Sequence, residues 1–213
     1  MLQLSLDWMK MDEAIKIVKE LYDKIDIVEV GTPLIFDYGL DCVEKMKELF
    51  PQKIILADMK IMDAGRQETE MAVKKGADII TVMGAANNYT IQKAAEAAHE
   101  SGRKIMVDVL GIQDITAKVK ALDRMGTDYI CVHTAFDMKD KSDRPLNELE
   151  LVNELSTRCE TAIAGGITLN EIHSVMRLKP DVVIVGGGIL NHKNPKETIE
   201  KFYSLCGGRK EAN

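Results

Sequence analysis

The sequence has little of what marks membrane proteins, disulfide-rich proteins and nucleic-acid-binding proteins. Only 5 of its 213 residues are proline, and aromatic residues make up 5%. No apolar run approaches the roughly 18 residues of a membrane span. The net charge is -6, without a sustained basic patch, so a nucleic-acid or anionic-membrane partner has little electrostatic support. We therefore expect small-molecule ligands, with no nucleic acid and no membrane as partners.

The cysteines do not form a metal-binding or disulfide pattern. They are far apart in the chain, with no C-x-x-C pair, at Cys42, Cys131, Cys159 and Cys206. We expect reduced thiols, with Cys131 and Cys159 packed in or beside the core. The opening stretch, MLQLSLDW, has neither a basic segment nor a small-residue cleavage site, which is typical of a cytoplasmic protein.

Short β-branched runs alternate with amphipathic stretches of helical period along the whole chain. The predicted strands are LQLSLD, IDIVEVG, KIILADMK, DIITVMG, KIMVDVLG, DYICVHT, TAIAGGI and DVVIVGGGI. Helical stretches lie between them, such as MDEAIKIVKELY and NYTIQKAAEAAHESG, where Gly102 fits a helix C-terminus. Three segments that lead from a predicted helix into a predicted strand have an Asp at the start of the strand. They are KKGADIITV, RMGTDYICV and RLKPDVVIV.

This alternation predicts an α/β protein with a single (β/α)₈ TIM barrel. Near-continuous apolar strands are expected when both faces of a sheet are covered. The hydrophobic content of 46% is enough for one full core. We assign residues 1–207 to the barrel and 208–213 to a frayed C-terminal tail. A doubly wound open sheet is the structural alternative.

Ionisable side chains stand at the ends of successive predicted strands. They are Asp7, Glu29, Asp58 with Lys60, Asp108 and His133. Barrel enzymes bind ligands where the strands run out into the following loops. A lone aspartate at such a position is more often a helix cap. Several charged groups at one rim are harder to explain in this way, because burying uncompensated charge costs free energy. The set as a whole therefore indicates a functional site, whereas His99 and His173, on predicted helices, are expected at the surface.

The stretch LADMKIMDAG crowds charges at the end of the third strand. Strand alternation sends Asp58 and Lys60 into the barrel mouth and Met59 toward the helices. Carboxylates around Lys60 keep it protonated, which suits an enolate-stabilising cation better than an imine-forming nucleophile. Glu29 and Asp58 could also supply oxygen ligands to a hard divalent cation such as Mg²⁺. A plain salt-bridge network is the alternative.

Glycines end the last two predicted strands. They are Gly165, Gly166, Gly186, Gly187 and Gly188. Glycine lets backbone N–H groups approach an anion closely, and the loops after the seventh and eighth strands are the usual barrel site for a phosphate. We expect a phosphate-binding site here; tight turns alone are the alternative.

These stretches together resemble the orotidine 5′-phosphate decarboxylase superfamily. DMKIMDAG matches its Asp-x-Lys-x-x-Asp signature. SLD, VEVGTPLI, CVHT, AGGI and VIVGGGI are similar, in order, to its 3-hexulose-6-phosphate synthase branch. The resemblance implies a Mg²⁺-dependent aldolase that joins formaldehyde to D-ribulose 5-phosphate through a 1,2-enediolate. The product is D-arabino-hex-3-ulose 6-phosphate, and the reaction is the formaldehyde-fixing step of the ribulose monophosphate pathway.

The residue types at the strand ends, taken with this resemblance, lead to a hypothesis for their roles. Glu29 and Asp58 hold Mg²⁺, His133 is the general base or proton shuttle, and Lys60 stabilises the enediolate. Asp7 and Asp108 orient the substrate hydroxyls and Lys60. The family is dimeric, so Asp63 is implied to complete the active site of the partner subunit.

Several rival functions remain. The 3-keto-L-gulonate 6-phosphate decarboxylases share the signature, but they typically carry Glu, Arg and Arg where this chain has Asp108, Phe136 and Gly187. Orotidine monophosphate decarboxylases use a metal-free site and a larger nucleotide-binding surface. Three further rivals are an imine-forming aldolase, a silent sugar-phosphate binding protein and a phosphopentose epimerase.

Overall fold

Eight parallel strands close into a barrel in chain order. The structure, a computed structural model, describes residues 1–138 and 146–207. The strands are β1 (Leu2–Leu6), β2 (Ile27–Val30), β3 (Ile54–Ile61), β4 (Ile79–Met83), β5 (Lys104–Asp108), β6 (Tyr129–His133), β7 (Glu160–Ala164) and β8 (Val182–Val185). Since β1 pairs with both β2 and β8, the barrel prediction is confirmed and the open sheet is wrong. The predicted tail at 208–213 lies outside the described residues, and the boundary at 207 stays a prediction.

Helices follow the strands and cover the outside of the barrel. They are α1 (Met11–Leu21), α2 (Thr32–Tyr38), α3 (Asp41–Leu49), α4 (Gly65–Lys74), α5 (Asn88–Glu100), α6 (Ile115–Met125), α7 (Leu146–Leu155), α8 (Ile172–Arg177), α9 (Gly187–Leu190) and α10 (Pro195–Leu205). Asn87 caps α5 by accepting a hydrogen bond from the Tyr89 N–H, and Gly102 follows the helix with φ +66°. Within the described residues, no helix has both the length and the apolar character needed to cross a bilayer.

The strand side chains point alternately to two cores. Outward side chains such as Leu4, Val28 and Ile80 pack against the helices in the larger core. The inward apolar layer consists of Ile27, Leu56, Ile79, Met106, Tyr129, Cys131, Ala162, Ala164, Val182 and Ile184. Cys131 thus lies inside the barrel and Cys159 packs against the outer core, as predicted, and all four cysteines are free thiols.

The period of two also explains where the charged side chains lie. The next inward position after an inward apolar residue is Glu29 on β2, Asp58 on β3, Thr81 on β4, Asp108 on β5 and His133 on β6. Because all strands are parallel, these positions share the carboxyl end of the barrel, here called the mouth. The apolar layer below them closes the barrel interior.

Aspartates close the opposite end of the barrel. Each of them directly precedes an even-numbered strand and accepts a hydrogen bond from a backbone N–H of the preceding strand. The pairs are Asp26 with Leu2 at 2.8 Å, Asp78 with Ile55 at 2.9 Å, Asp128 with Ile105 at 2.8 Å and Asp181 with Thr161 at 2.7 Å. The Asp of the repeated sequence pattern is therefore a structural link between neighbouring strands.

Candidate active site

The mouth brings together the ionisable side chains that the sequence assigned to it. They are Asp7, Glu29, Asp58, Lys60, Asp108 and His133. Ser5 Oγ lies 2.8 Å from both Asp7 Oδ2 and Glu29 Oε1. Lys60 lies between Asp58 and Asp108. The network therefore runs around the rim from β1 to β6.

Lys60 reaches the network through an irregularity in β3. Ala57 pairs with Ile80, but the next pair along is Ile61 with Val82, so β3 bulges toward its end. Lys60 itself has φ +48°, a conformation that residues with a side chain rarely adopt. Its Nζ donates to Asp58 Oδ2 at 2.5 Å and lies 3.8 Å from Asp108 Oδ2.

The predicted orientations on β3 are confirmed, since Met59 packs against the outer core while Asp58 and Lys60 face the mouth. Burial by itself lowers the pKa of Lys60, but the charges of Asp58 and Asp108 outweigh it and raise that pKa. The amine is therefore a held ammonium ion. An imine-forming nucleophile requires the opposite shift.

His133 and Asp108 form the other half of the network. His133 Nδ1 lies 2.8 Å from Asp108 Oδ2, and because an ionised carboxylate can only accept, Nδ1 carries the proton. The backbone N–H of Leu110 donates to the other oxygen of Asp108 at 2.9 Å. In the neutral ring Nε2 is then the basic nitrogen, so the pair presents a base whose tautomer is fixed.

The His133–Asp108 pair shifts both pKa values. Burial lowers the pKa of His133, but the hydrogen bond and charge of Asp108 outweigh it and raise that pKa. Burial likewise raises the pKa of Asp108, and the hydrogen bond and charge of His133, with Lys60, lower it on balance. Asp108 thus stays ionised and strengthens His133 as a base.

Glu29 is a buried carboxyl group surrounded by other acids. Its Oε1 lies 2.8 Å from Ser5 Oγ, and its Oε2 accepts a hydrogen bond from Gln3 Nε2 at 2.5 Å. Burial, followed by the charges of Asp58 and Asp7, raises the pKa of Glu29 to about 8. Burial and the charge of Asp58 also raise the pKa of Asp7, against the hydrogen bond from Ser5. This side of the mouth therefore favours an added positive charge.

The donor set at this side fits a hard divalent cation. Glu29 and Asp58 offer carboxylate oxygens, and the repulsion that raises the pKa of Glu29 is what a bound cation relieves. Within residues 1–138 and 146–207, no group of three or more His, Cys, Asp and Glu side chains is arranged as a metal site. Mg²⁺ is usually held by one or two carboxylates together with water and substrate oxygens, so two carboxylates suffice. Metal binding stays a prediction.

The glycine loops follow β7 and β8, which are neighbours in the barrel. Gly165 and Gly166 have φ +100° and +62°. A Cβ on Gly165 would clash with the Thr134 carbonyl oxygen, so this glycine is required by backbone conformation and packing. A Cβ on Gly186 would lie 3.1 Å from the Ser5 carbonyl oxygen and 3.7 Å from Asp7 Oδ2. The loop after β8 thus adjoins the Asp7 side of the network, and the loop after β7 adjoins Thr134, next to His133. Phosphate binding at these loops stays a prediction.

The structure does not bring Asp63 to this network. Asp63 is exposed in the turn between β3 and α4, and its Oδ1 accepts a hydrogen bond from the neighbouring Ala64 N–H at 2.7 Å. Its implied role in a partner subunit requires a second chain and stays a prediction.

Neutral side chains that were not predicted from the sequence hold the acids in place. They are Gln3, Ser5, Thr32 and Thr81. Gln3, Ser5 and Thr81 occupy inward strand positions, since Gln3 and Ser5 lie four and two residues before Asp7 and Thr81 lies two residues after Ile79. This period of two is the sequence signal that could have identified them. Thr32 starts α2, and its hydroxyl lies 2.8 Å from both the backbone and a side-chain oxygen of Asp58.

Two exposed aromatic side chains flank the mouth. Trp8 follows Asp7 and is 75% exposed, and Phe136, three residues after His133, is 59% exposed. Their ring centroids are 6.2 Å apart. Trp8 has φ +44°, which is unusual for a bulky residue and occurs mainly at functional or tightly constrained sites.

Comparisons with known proteins cover almost the whole chain. Residues 1–202 match the model of the orotidine 5′-phosphate decarboxylase / HUMPS family. The 3-hexulose-6-phosphate synthase of Bacillus subtilis (strain 168) is 46% identical over 204 residues, which cover 96% of this chain and 97% of that protein.

Solved structures give the same picture. The 3-hexulose-6-phosphate synthase of Salmonella typhimurium superimposes with a TM-score of 0.94 at 34% identity, covering 98% of this chain and 99% of the other. The 3-keto-L-gulonate-6-phosphate decarboxylase of Vibrio cholerae O1 biovar El Tor str. N16961 gives 0.86 at 26% identity, with 97% of each chain covered. The decarboxylase is thus the more distant of these two.

Proposed function

Since this chain belongs to the orotidine 5′-phosphate decarboxylase / HUMPS family, we propose that it is a 3-hexulose-6-phosphate synthase. The chain is an enzyme of the aldehyde-lyase kind, as are its relatives of that name. The proposed reaction joins formaldehyde to D-ribulose 5-phosphate through a 1,2-enediolate and gives D-arabino-hex-3-ulose 6-phosphate. The observation that carries the proposal is the position of Lys60 between Asp58 and Asp108, with Asp108 also bound to His133.

The sugar phosphate binds with its phosphate on the loops after β7 and β8. Backbone N–H groups in such loops favour an anion. Gly186 adjoins Ser5 and Asp7, so the phosphate end and the reacting end of an acyclic five-carbon sugar both fit within one mouth. Asp7 accepts hydrogen bonds from substrate hydroxyls.

His133 moves the proton. Its Nε2 removes a proton from C1 of ribulose 5-phosphate, while Asp108 holds Nδ1–H and stabilises the imidazolium that forms. C1 then forms a bond to the carbonyl carbon of formaldehyde, whose π electrons move to its oxygen. His133 returns the proton to the resulting alkoxide. The reaction is an addition, so no redox partner is needed.

Lys60 supplies a fixed positive charge. Its ammonium group, held by Asp58 and Asp108, faces the position where negative charge develops on the substrate oxygens. A preorganised charge of this kind stabilises the enediolate relative to the keto sugar. Lys60 acts here without a covalent bond to the substrate.

Mg²⁺ is the proposed cofactor, with Glu29 and Asp58 as the residues that hold it. When bound, it supplies Lewis-acid polarisation of the substrate carbonyl and stabilises negative charge on oxygen. Burial and the neighbouring charges of Asp58 and Asp7 raise the pKa of Glu29 to about 8, and the acidic surroundings support a cation at this place.

The experiment that tests the function measures formaldehyde consumption by the purified protein with ribulose 5-phosphate and Mg²⁺. A chelated sample is the control, and decarboxylation of 3-keto-L-gulonate 6-phosphate is assayed in parallel. We expect formaldehyde loss that the chelator abolishes. Carbon dioxide release without formaldehyde loss contradicts the proposal and establishes the decarboxylase. An adduct trapped by borohydride on Lys60 contradicts the non-covalent role of this residue.

A cytoplasmic homodimer with shared active sites completes the proposal. Asp63 is exposed in its own subunit, and large apolar side chains are exposed as well, at 84% for Phe36, 52% for Met62 and 66% for Tyr89. Exposed apolar surface is typical of an interface when it is grouped in one patch. In a symmetric dimer each Asp63 then completes the site of the other subunit.

Mixing two inactive variants tests the shared site. Asp63→Asn and His133→Asn are each expected to be inactive alone. After unfolding and refolding together in equal amounts, half of the dimers are mixed and carry one intact site of two, so activity should return to about a quarter of the wild-type value. No recovery in refolded mixed dimers contradicts the role of Asp63 across the interface.

A further inference from the structure

Thr81 stands opposite the bulge that presents Lys60. Between the paired positions Ala57 with Ile80 and Ile61 with Val82, the β3 strand has three residues and β4 has only Thr81. The three residues on β3 include Asp58 and Lys60. A buried side chain at 4% exposure thus spans the gap in the backbone ladder where the two functional residues lie.

The hydroxyl of Thr81 bonds to both of these residues. The backbone N–H of Lys60 donates to Thr81 Oγ1 at 2.9 Å, and Oγ1 lies 2.8 Å from Asp58 Oδ1. An N–H can only donate, so Thr81 accepts there and gives its own proton to Asp58. One hydroxyl therefore replaces the missing strand pairing and also orients the carboxylate.

Lys60 needs such a support. Its φ of +48° is unfavourable for a residue with a side chain and persists only where the surroundings hold it. The hydroxyl of Thr32 is also a donor to Asp58, 2.8 Å from both its backbone carbonyl oxygen and a carboxylate oxygen. Thr81 combines the bond to Asp58 with one to the Lys60 backbone.

We propose that Thr81 is a positioning residue, whose hydroxyl holds Lys60 and Asp58 in the arrangement that the reaction requires. It acts through these two residues. Its effect on turnover rests on the proposed function, whereas its effect on the position of Lys60 does not.

The test compares three variants. Thr81→Val keeps the shape but removes the hydroxyl, and Thr81→Ser keeps the hydroxyl. Thr161→Val is the matched control, because Thr161 is also a buried strand residue, 5% exposed, whose hydroxyl lies 3.4 Å from the carboxylate of Asp181, at the far end of the barrel. Thr81→Ala replaces the valine variant if the latter does not fold.

We expect Thr81→Val to lower kcat, and to weaken Mg²⁺ binding measured by calorimetry without substrate, each by about 10- to 100-fold. The KM for ribulose 5-phosphate should change much less, because the phosphate contacts are untouched. Thr81→Ser should recover most of both losses, and Thr161→Val should keep the wild-type kcat per folded molecule. In a crystal structure of Thr81→Val, Lys60 should leave the left-handed region or its Nζ should leave Asp58.

Three results overturn the proposal. The first is an unchanged Lys60 and Asp58 in the Thr81→Val crystal structure. The second is a loss in Thr81→Ser as large as in Thr81→Val, which indicates a packing role for the methyl group. The third is an equal loss of kcat in Thr161→Val. If the wild-type protein has no synthase activity, the proposed function fails, and the crystal structure still decides the positioning role.

Discussion

Aspartates occupy both ends of the barrel, but the two sets have different partners. At the amino-terminal end, Asp78 accepts a hydrogen bond from the Ile55 N–H at 2.9 Å, pairs with Lys47 at 2.7 Å and also pairs with Arg103. At the mouth, Asp58 is bonded to Lys60 and to hydroxyl groups. Asp78 is thus held by a backbone N–H and by two cations, and Asp58 by Lys60 and by the hydroxyl groups of the mouth.

This difference indicates that the aspartates of the amino-terminal end stabilise the fold, whereas the acids of the mouth take part in the reaction. Asp78 accepts a backbone N–H and pairs with cations of the amino-terminal end, so it is satisfied in the folded protein and stabilises the fold. Glu29, which is buried, and Asp7, which is half-buried, instead lie near other acids, and both have raised pKa values. Barrel enzymes generally carry their chemistry at the carboxyl end and their stabilising interactions at the other end. Substitutions at the two ends should therefore have different consequences.

The largest effect is expected for His133→Asn at the mouth. The variant keeps a polar side chain but cannot act as a base, so kcat for formaldehyde consumption should fall by about 10²- to 10⁴-fold. Affinity for ribulose 5-phosphate, measured by calorimetry, should change little because the phosphate loops remain. An equal loss of turnover and affinity is incompatible with His133 as the proton-transfer group.

A loss of stability without loss of chemistry is expected for Asp78→Ala at the opposite end. The change removes the acceptor of the Ile55 N–H and the partner of Lys47 and Arg103. The free energy of unfolding, measured in urea, should fall by about 1 to 3 kcal/mol. The kcat per folded molecule should match the wild-type value, and a comparable drop in kcat contradicts the division between the two ends.

The pH dependence of the reaction should reveal the His133–Asp108 pair. His133 must be neutral to act as a base, so activity rises as pH passes upward through its pKa. Asp108 raises that pKa, and the acid limb of kcat/KM should lie above the ordinary value of about 6.5. In Asp108→Asn the pKa of His133 should fall, so the acid limb should move to lower pH, and the maximum rate should also decrease. If the limb does not move, the titrating group is not His133.

The same pair makes stability depend on pH in two directions. Because folding raises the pKa of His133, the protonated ring stabilises the folded protein at pH values below its pKa in the unfolded chain. This stabilisation is lost as pH rises through the pKa of His133 in the folded protein. The lowered pKa of Asp108 gives stability that is present above its unfolded pKa and is lost as pH falls through the folded one. Urea unfolding of the wild type and His133→Asn should therefore differ most between the two unfolded values, and a constant difference contradicts the pairing.

The smallest effect is expected in the fluorescence of Trp8. It is the single tryptophan of the chain, it follows Asp7, and it lies against Phe136 at the mouth. Saturating ribulose 5-phosphate should change its emission modestly, and ribulose without the phosphate is the control for the contribution of the phosphate loops. No change at saturation indicates that the aromatic pair lies away from the bound substrate.

The alternation of strands and helices, and the end of the barrel where the charges lie, could both be predicted from the amino-acid sequence. Period-two alternation places Glu29, Asp58, Asp108 and His133 inward, and parallel strands bring all four to one end. The sequence pattern also marked an Asp before several strands. It did not mark Asp26, because the stretch LYDKID lacks the Gly or Pro that precedes Asp in KKGAD, RMGTD and RLKPD. Asp26 nevertheless makes the same kind of bond, to the N–H of Leu2.

The conformation of Lys60 and the contacts that hold it could not be predicted in this way, because they depend on pairing between distant parts of the chain. The shift between Ala57 and Ile61 against β4, and the bonds of Thr81 to the Lys60 N–H and to Asp58, arise from pairing between residues more than 20 positions apart. Local periodicity carries no information on such a register. The positive φ of Lys60 is likewise imposed by its surroundings, because a lysine on its own does not favour it.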